Sequence, residues 1–430
     1  MKKLLLALLA MLLSPLALAA VGIDHWTLPS GARVYFVASP SLPILDVQVD
    51  FAAGSMFDPA GKSGLAALTR STLDLGAGAH DETAIAEQLA DLGAQLGGAA
   101  DTDRASIHLR TLSMPEKREP ALAILRSVLH APSFAEAVLE REKARTVASL
   151  KEAMTRPESI AGQAFWAAMY AQHPYGRQAT PASVATLTPA DLKGFYAQYY
   201  GAANASITLV GNIARNEAEA IAESLAQGLP AGPLADLPSA PQAPTKGSAI
   251  KIAHPASQAH IYIGLPAVER GNPDYFPLLV GNYTLGGGGF VSRLMKEIRD
   301  QRGYAYSVYS HFAPLRQAGP FQIGLQTKRS QAREATKLAR NILEAFLKSG
   351  PSEEELAAAK DNLAGSFPLR LDSNKKLLDN TALIGFYGLP LDYLEQFQAR
   401  VRAVTAEQVK QAFARHIVPA RLITVTVAAD

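Results

Sequence analysis

The stretch DVQVDFAAGSMFDPAGKSGLAALTRST, residues 46–72, decides the fold prediction for this chain. Apolar and polar residues alternate from Leu45 to Phe51, which predicts a β-strand with one buried face. Helical spacing of apolar residues begins at about Lys62, and the predicted helix runs into the glycines Gly76 and Gly78. The chain therefore predicts a strand, a turn and a helix in succession.

The same succession returns in the second half of the chain. His260–Leu265 predicts a strand, and a helix from about Pro273 runs into the glycine run Gly286–Gly289. Both halves also end alike, because Thr188 and Thr405 each precede an amphipathic helix and then a β-rich strand. The two threonines lie 217 residues apart. We therefore predict an α+β fold of two homologous domains from an internal duplication, each an antiparallel-type sheet packed with helices.

A proline-rich stretch separates the two halves. Residues 229–247 contain prolines at regular intervals among Ala, Gly and Ser, a composition typical of an extended, semi-rigid linker. The predicted N-terminal domain therefore covers residues 21–228, and the predicted C-terminal domain covers residues 248–430.

The first 20 residues have the composition of a secretory signal peptide. Lys2 and Lys3 precede the apolar run Leu4–Leu13, and small residues predict cleavage near Ala19 or Ala20. The run is too short to span a bilayer in the usual way, and an uncleaved anchor is the alternative. We expect an exported, periplasmic protein.

The composition excludes several classes of function. The chain has 430 residues, 48% of them apolar and 19% charged, which indicates a folded protein too long for one ordinary core. Without Lys2 and Lys3, 39 basic residues face 39 acidic ones, so nothing indicates a nucleic-acid surface. The chain has no Cys, which excludes disulfides and a Cys nucleophile or metal ligand. It also has no Gly-x-Ser-x-Gly element of a serine hydrolase.

Two blocks of sequence resemble the pitrilysin/insulinase family of zinc peptidases. The first is the stretch at residues 46–66, and the second is LGGGGFVSRL at 285–294 followed by EIRDQRGYAYSVY at 297–309. With the duplication, the resemblance covers essentially the whole mature chain. It implies that the two domains form half of a clamshell chamber.

Active members of that family carry the motif His-x-x-Glu-His. Its two histidines bind zinc on one face of a helix, and its Glu polarises the attacking water. The resemblance places this motif at residues 67–71, where Ala67 and Ser71 replace the histidines and Arg70 replaces the Glu. A guanidinium cannot deprotonate water, so we expect no metal and no catalytic base of this chain's own.

The third zinc ligand of the family lies at the end of a Glu-x6-Glu pattern. The best match runs from Glu142 to Ser149, which puts Ser149 at the ligand position, although a slip of a few residues would offer Glu152. No two of the nine histidines lie four residues apart, so the sequence offers no substitute pair of helical ligands.

The second block retains residues of the family's active site, whereas the first block lacks the zinc ligands and the base. The resemblance implies that Arg299 binds a substrate carbonyl and that Tyr306 stabilises the tetrahedral oxyanion. The alternative is a solvated Arg at a helix end and an ordinary strand Tyr, and Arg302 is a neighbour that could be mistaken for the functional Arg. The glycine run is either a flexible substrate-contacting loop, as in the non-catalytic subunit of mitochondrial processing peptidase, or a turn that needs positive φ. Its members are Gly286, Gly287, Gly288 and Gly289.

The resemblance therefore implies a non-catalytic peptidase subunit. A homologous zinc-binding subunit would supply metal and base in a heterodimer, and this chain would supply Arg299 and Tyr306 for a peptide substrate. Whether a homodimer forms instead is left open. The alternative function is a catalytically inert scaffold of the same fold that binds peptides or proteins.

Overall fold

The computed structural model describes residues 22–428. The predicted signal peptide, residues 1–20, lies outside the described residues. Among the described helices, none combines the length and the apolar character that crossing a bilayer would require.

The first domain is built on a six-stranded sheet in the order β1-β2-β8-β3-β7-β6, and β4 and β5 form a small separate hairpin. Strands β3 and β8 are buried along almost their whole length, which means that both faces of the sheet centre are covered. The strands are β1 Asp24–Thr27, β2 Arg33–Ala38, β3 Ile44–Phe51, β4 Gly76–Ala77, β5 His80–Asp81, β6 Gln95–Gly97, β7 Ala105–Leu112 and β8 Ala205–Gly211.

Eight helices belong to the same part of the chain. They are α1 Leu65–Thr72, α2 Glu82–Leu92, α3 Pro115–His130, α4 Glu136–Ala153, α5 Pro157–Met169, α6 Pro181–Ala185, α7 Pro189–Tyr199 and α8 Arg215–Ala226. The predicted first helix begins at Leu65 and not at Lys62. The Lys62 ammonium lies 2.9 Å from the Asp191 carboxylate and so ties the turn before α1 to α7.

The second domain repeats the plan on a five-stranded sheet in the order β11-β12-β10-β13-β9. Its strands are β9 Ala249–Ile252, β10 Gln258–Val268, β11 Ala305–Phe312, β12 Gly319–Lys328 and β13 Ile423–Val427. Its helices are α9 Tyr275–Asn282, α10 Ala332–Ser349, α11 Glu353–Gly365, α12 Asn374–Tyr387, α13 Tyr393–Ala403 and α14 Ala406–His416.

The two sheets have the same topology. The run β2-β8-β3-β7-β6 of the first corresponds strand by strand to β9-β13-β10-β12-β11 of the second. In each run the first pair is parallel and the others are antiparallel. This correspondence confirms the predicted α+β fold of two matching domains.

The threonine caps are where the sequence places them. The Thr188 hydroxyl accepts a hydrogen bond from the Asp191 amide at 3.3 Å, and the Thr405 hydroxyl accepts one from the Gln408 amide at 3.2 Å. In each case the capping side chain satisfies an N–H that the helix itself leaves unpaired. Helices α7 and α14 therefore begin at equivalent places in the two domains.

One helix of each domain packs on the sheet of the other domain. Helix α5 packs on β10 and β13 of the second domain, where Phe165 shares one apolar core with Val425 and Val427. Helix α12 packs on β8, β3 and β2 of the first domain, where the Arg33 guanidinium donates to the Gly385 carbonyl at 3.0 Å. This exchange joins the two domains through their cores and not only through their surfaces.

A buried carboxylate, Asp103, completes the junction. It accepts hydrogen bonds from the Tyr175 hydroxyl at 2.7 Å, the Tyr387 hydroxyl at 2.8 Å and the Arg316 backbone N–H at 2.7 Å. Tyr387 and Arg316 belong to the second domain. Burial raises the pKa of Asp103, and the two hydroxyl donors and the backbone donor oppose that shift.

Residues 229–247, the predicted linker, contain neither helix nor strand. The segment is held at two points, because Asn204 donates to the Pro233 carbonyl at 3.0 Å and Gln317 donates to the Pro238 carbonyl at 2.5 Å. The exact domain boundaries stay a prediction.

Replacing Asp103 should loosen the junction. Asp103→Ala leaves the buried Tyr175 hydroxyl, the half-buried Tyr387 hydroxyl and the Arg316 backbone N–H without their acceptor, and a buried group of this kind costs about 1–3 kcal/mol. We expect the free energy of unfolding, measured by urea titration, to fall by about 3 kcal/mol or more. Tyr387→Phe should cost about 1 kcal/mol, and the exposed Glu87→Ala on α2 should cost almost nothing. An Asp103→Ala value equal to that of Glu87→Ala would show that the carboxylate does not hold the domains together.

Asp50 predicts a pH dependence of stability. Burial raises its pKa to about 6, and the Arg104 guanidinium and the Gln48 amide oppose the shift. Because the folded-state pKa lies above the unfolded value, the stabilisation is full below pH about 4 and is lost as pH rises through about 6. The shift corresponds to a loss of about 3 kcal/mol.

The measurement is the difference in free energy of unfolding between wild type and Asp50→Asn from pH 4 to pH 7. We expect that difference to favour wild type most at pH 4 and to shrink as pH rises. Asp91→Asn, at an exposed position on α2, serves as the control and should show a constant difference. A constant difference for Asp50→Asn as well would contradict the prediction.

Candidate functional site

Helix α1, which carries the degenerate motif, is positioned by a buried aspartate. The Asp58 carboxylate accepts hydrogen bonds from the Gly64 N–H at 2.7 Å and the Ala66 N–H at 2.8 Å. Gly64 has φ +102°, a left-handed conformation that favours glycine. Burial raises the pKa of Asp58 to about 6, against the lowering effect of the N–H groups of Ala66 and Gly64. The first turn of α1 is thus fixed from outside the helix.

The two positions that would hold zinc ligands are exposed on α1. Ala67 and Ser71 lie on the open face of the helix, one turn apart, and neither side chain offers the imidazole nitrogen that a zinc site of this type needs. The helix that carries the motif in the family is therefore present, but the side chains that would bind zinc are not.

Arg70, at the position of the general base, points the other way and is buried. Its Nε donates to the Ser106 carbonyl of β7 at 2.5 Å, and its Nη1 lies 3.2 Å from the Asp74 carboxylate. A side chain at Gly98 would collide with this guanidinium, since a Cβ there would lie 2.4 Å from Nη2. Arg70 is thus a structural group that ties α1 to the sheet, and it is not available to activate water.

The third ligand position lies on α4, which packs against α1. Ser149 is exposed there, and Glu152, one turn further, is exposed as well. Glu142 is buried, and its carboxylate lies 3.1 Å from the Arg141 guanidinium. Between residues 22 and 428, no group of three or more His, Asp or Glu side chains is placed to hold a metal ion. The side chains present at the motif do not fit zinc.

Arg299 and Tyr306 lie together on the second domain. The Arg299 guanidinium carbon lies 4.9 Å from the centre of the Tyr306 ring and 4.6 Å from the centre of the Phe290 ring. Tyr306 is 82% exposed and Phe290 is 63% exposed, so this stack of three side chains stands at the surface. In the part of the chain that the structure describes, Arg299 makes no side-chain hydrogen bond or ion pair. Its donors are therefore open to a ligand.

Irregular secondary structure positions both residues. The sequence predicts a helix from about Phe290 to Arg299. The structure has a 3-10 turn at residues 289–291, and the helix begins only at Arg293 and takes the π-helical form at residues 295–300. The β11–β12 register shifts between Ala305 and Ser307, which makes Tyr306 the extra residue of a β-bulge on an edge strand. Bulges and π-turns both redirect side chains and are frequent beside functional sites.

Arg302 differs from Arg299 in its surroundings. Its Nη1 lies 2.7 Å from the Glu297 carboxylate and 3.3 Å from the Glu297 carbonyl. The two arginines of this segment are thus distinguished by their partners, because Arg302 is neutralised by its own segment and Arg299 is not.

Three glycines of the run leave no room for a side chain, although only Gly286 is buried. A Cβ at Gly286 would lie 2.6 Å from the Ser310 N, and a Cβ at Gly288 would lie 2.7 Å from the Tyr283 carbonyl oxygen. Gly287 is likewise close to Asn282, and Gly289, with φ +59°, faces open space. The geometry favours close packing and a turn for the first three glycines.

Phe290 was missed by the sequence analysis. The available signal was a large aromatic residue directly after a glycine run, where a turn predicts exposure. The structure brings Phe290, Arg299 and Tyr306 together. Among the described residues, no hydrogen bond, ion pair or ring contact joins these three to the degenerate motif on α1.

Comparisons with known proteins agree with this architecture. Residues 33–182 match the model of the family described as insulinase (peptidase family M16), and residues 186–363 match the peptidase M16 inactive domain. A crystal structure of a peptidase M16 inactive domain from Pseudomonas fluorescens is 38% identical and covers 94% of this chain and 98% of that chain, with a TM-score of 0.90.

Two further relatives are informative. A protein of Helicobacter pylori named non-peptidase homolog YmxG is 27% identical over 381 residues, 87% of each chain. The periplasmic protease PqqL of Escherichia coli shares the fold at a TM-score of 0.82 and 18% identity, and the match covers 95% of this chain and 46% of PqqL. This chain belongs to the peptidase M16 family.

The donor set on α1 and α4 predicts that the purified chain holds no stoichiometric zinc. Ala67 and Ser71 offer no imidazole, and Arg70 offers no metal-ligating group in place of the carboxylate. Elemental analysis after dialysis against zinc-containing buffer should find well under one zinc per chain. The prediction would be contradicted if the wild-type chain held about one zinc and the variant with Glu142→Gln and Glu152→Gln had lost it.

Proposed function

We propose that this chain is the non-catalytic subunit of an exported, periplasmic zinc peptidase of the M16 family. A homologous subunit with an intact His-x-x-Glu-His motif would supply the zinc and the base. This chain would supply Arg299 and Tyr306 across a shared chamber, of which its two domains form half. The observation that carries the proposal is the contrast between a motif without donors on α1 and an open, preorganised Arg–Tyr pair on the second domain.

The chemistry of the pair suits peptide hydrolysis. A guanidinium that is in contact with two aromatic rings can still present its planar fork of N–H donors to a substrate carbonyl, with little further loss of freedom. An exposed phenol beside it can donate to an oxyanion as that charge develops. The Helicobacter pylori relative named a non-peptidase homolog supports the absence of activity in this chain alone. The periplasmic protease PqqL, which shares the fold, supports the proposed location.

The test is reconstitution with the motif-bearing homologue. Loss of a preorganised oxyanion donor typically costs on the order of 100-fold to 1000-fold in turnover. We therefore expect Tyr306→Phe and Arg299→Ala to reduce turnover of a reconstituted heterodimer by about that factor, with assembly unchanged in analytical ultracentrifugation. Arg302→Ala is the matched control, since its guanidinium is held by Glu297.

Turnover within about twofold of wild type for both variants would contradict the proposed role. If the chain also binds peptides without supporting turnover in any pairing, the inert scaffold is the correct function. The exposed apolar groups of Phe290, Val291 and Tyr306 would serve such a scaffold equally well.

A further inference from the structure

The second domain contains a cavity of about 840 Å³ that the proposed function does not use. Its walls are α10, α11 and the segment from residue 283 to residue 301, all within one domain. The volume lies in the range typical of sites for small ligands.

The irregular segment creates this cavity. Residues 283–287 and 295–300 form two separate π-helical turns, and both contribute to the wall. At the equivalent place in the first domain, between α1 and β6, the chain forms the regular helix α2, and the gap between α2 and α3 measures about 190 Å³. The duplicated domain therefore provides a reference in which the same space is nearly closed. Single π-turns of this kind are frequent at functional sites.

Three of the five charged side chains in the wall are already paired. The Arg293 guanidinium makes a two-point contact with the Glu355 carboxylate, at 2.8 and 2.6 Å, and also donates to the Gly350 carbonyl at 3.0 Å. Glu297 is paired with Arg302 at 2.7 Å. These contacts fix the wall without requiring a ligand.

Four other polar side chains in the wall have no partner among the described residues. Lys296 and Glu354 make no ion pair, and the Gln301 and Asn341 amides make no side-chain hydrogen bond, anywhere within residues 22–428. Three carboxylates and two cations line the cavity, which disfavours a polyanion such as a nucleotide. One open cation and one open carboxylate suit a ligand that carries both charges, and Ile342 adds an apolar group to the same wall.

We propose that this cavity binds a short peptide with free termini. Glu354 pairs with the terminal ammonium, Lys296 pairs with the terminal carboxylate, and the Asn341 and Gln301 amides bind the peptide groups. An apolar side chain of the peptide packs on Ile342. Charge-assisted contacts at both ends select a peptide over an uncharged ligand of the same size.

The choice of a peptide rests on the proposed function. Val291 lines the cavity and directly follows Phe290, which stacks on Arg299, so the cavity adjoins the surface assigned to the peptide substrate. Hydrolysis of a peptide bond supplies products with a free ammonium and a free carboxylate, which are the groups that this cavity pairs.

The experiment is isothermal titration of the purified chain, without any partner, with the tripeptide Ala-Leu-Ala. The same peptide is titrated with its N-terminus acetylated and with its C-terminus amidated. We expect saturable binding of the free peptide. Each capped form should bind at least about tenfold more weakly, which corresponds to a loss of about 1.4 kcal/mol of binding free energy. Glu354→Gln should bind the free peptide no better than wild type binds the acetylated one, and Glu353→Gln is its control.

A filled cavity provides the second arm. Ala358 and Ala357 are both exposed on α11, but only Ala358 lines the cavity. Ala358→Trp should abolish binding, and Ala357→Trp should leave it unchanged. No saturable binding up to 10 mM, equal binding of the capped peptides, or full binding by Ala358→Trp would each overturn the proposal.

The outcome is separable from that of the proposed function. Arg299→Ala should leave tripeptide binding intact, because Arg299 does not line the cavity. If the tripeptide does not bind but Arg299→Ala still loses turnover in the reconstituted heterodimer, the peptide site is rejected and the role of Arg299 stands. Binding with unaffected turnover would reject the role of Arg299 alone.

Discussion

The exchange of helices between the two domains is the constraint on which the rest of the structure depends. Strands β8 and β13 are buried along their full length, so each sheet centre needs cover on two faces. Each domain obtains part of that cover from the other, through α12 and α5. Asp103 sits where the exchanged segments meet, and its three hydrogen bonds reach Tyr175, Arg316 and Tyr387. Neither domain therefore has a complete core alone.

Local signals in the sequence predicted local structure well, and the junction could not be predicted from them. Thr188 and Thr405 cap helices because a cap needs only the next three residues. Asp103 reads as an ordinary polar turn residue, since its donors come from 72 to 284 positions away along the chain. The helix predicted from about residue 290 begins instead at Arg293 and is π-helical from residue 295. Gly286 lies against the Ser310 backbone, a contact that local signals in the sequence do not show.

Arg70 shows how the motif position became part of the framework. Its guanidinium joins the carbonyl of Ser106 on β7 to the carboxylate of Asp74, in space that only a glycine at residue 98 leaves free. A Glu at position 70 would leave Ser106 without this donor and would set two carboxylates one helical turn apart. Restoring the His-x-x-Glu-His residues in this chain would therefore cost stability, because buried groups that lose a charged partner are expensive. Position 70 therefore carries a structural cation in this chain, where active members of the family carry a catalytic carboxylate.

At the motif position on α1 the chain has a structural side chain, whereas the irregular backbone of the second domain presents side chains that are open to a ligand. A π-turn and a β-bulge each sacrifice regular hydrogen bonding, and here both occur within twelve residues, at 295–300 and at Tyr306. Their combined effect is that the Arg299 guanidinium carbon lies 4.6 Å from the centre of the Phe290 ring and 4.9 Å from that of the Tyr306 ring, while its donors have no partner among the described residues. A flexible Arg on a regular helix would lose more side-chain entropy on binding a carbonyl, whereas a stacked one has already lost part of it. Folding thus supplies in advance some of the ordering that a ligand would otherwise have to supply, which is the expected reason for a chain without zinc ligands to keep this segment irregular.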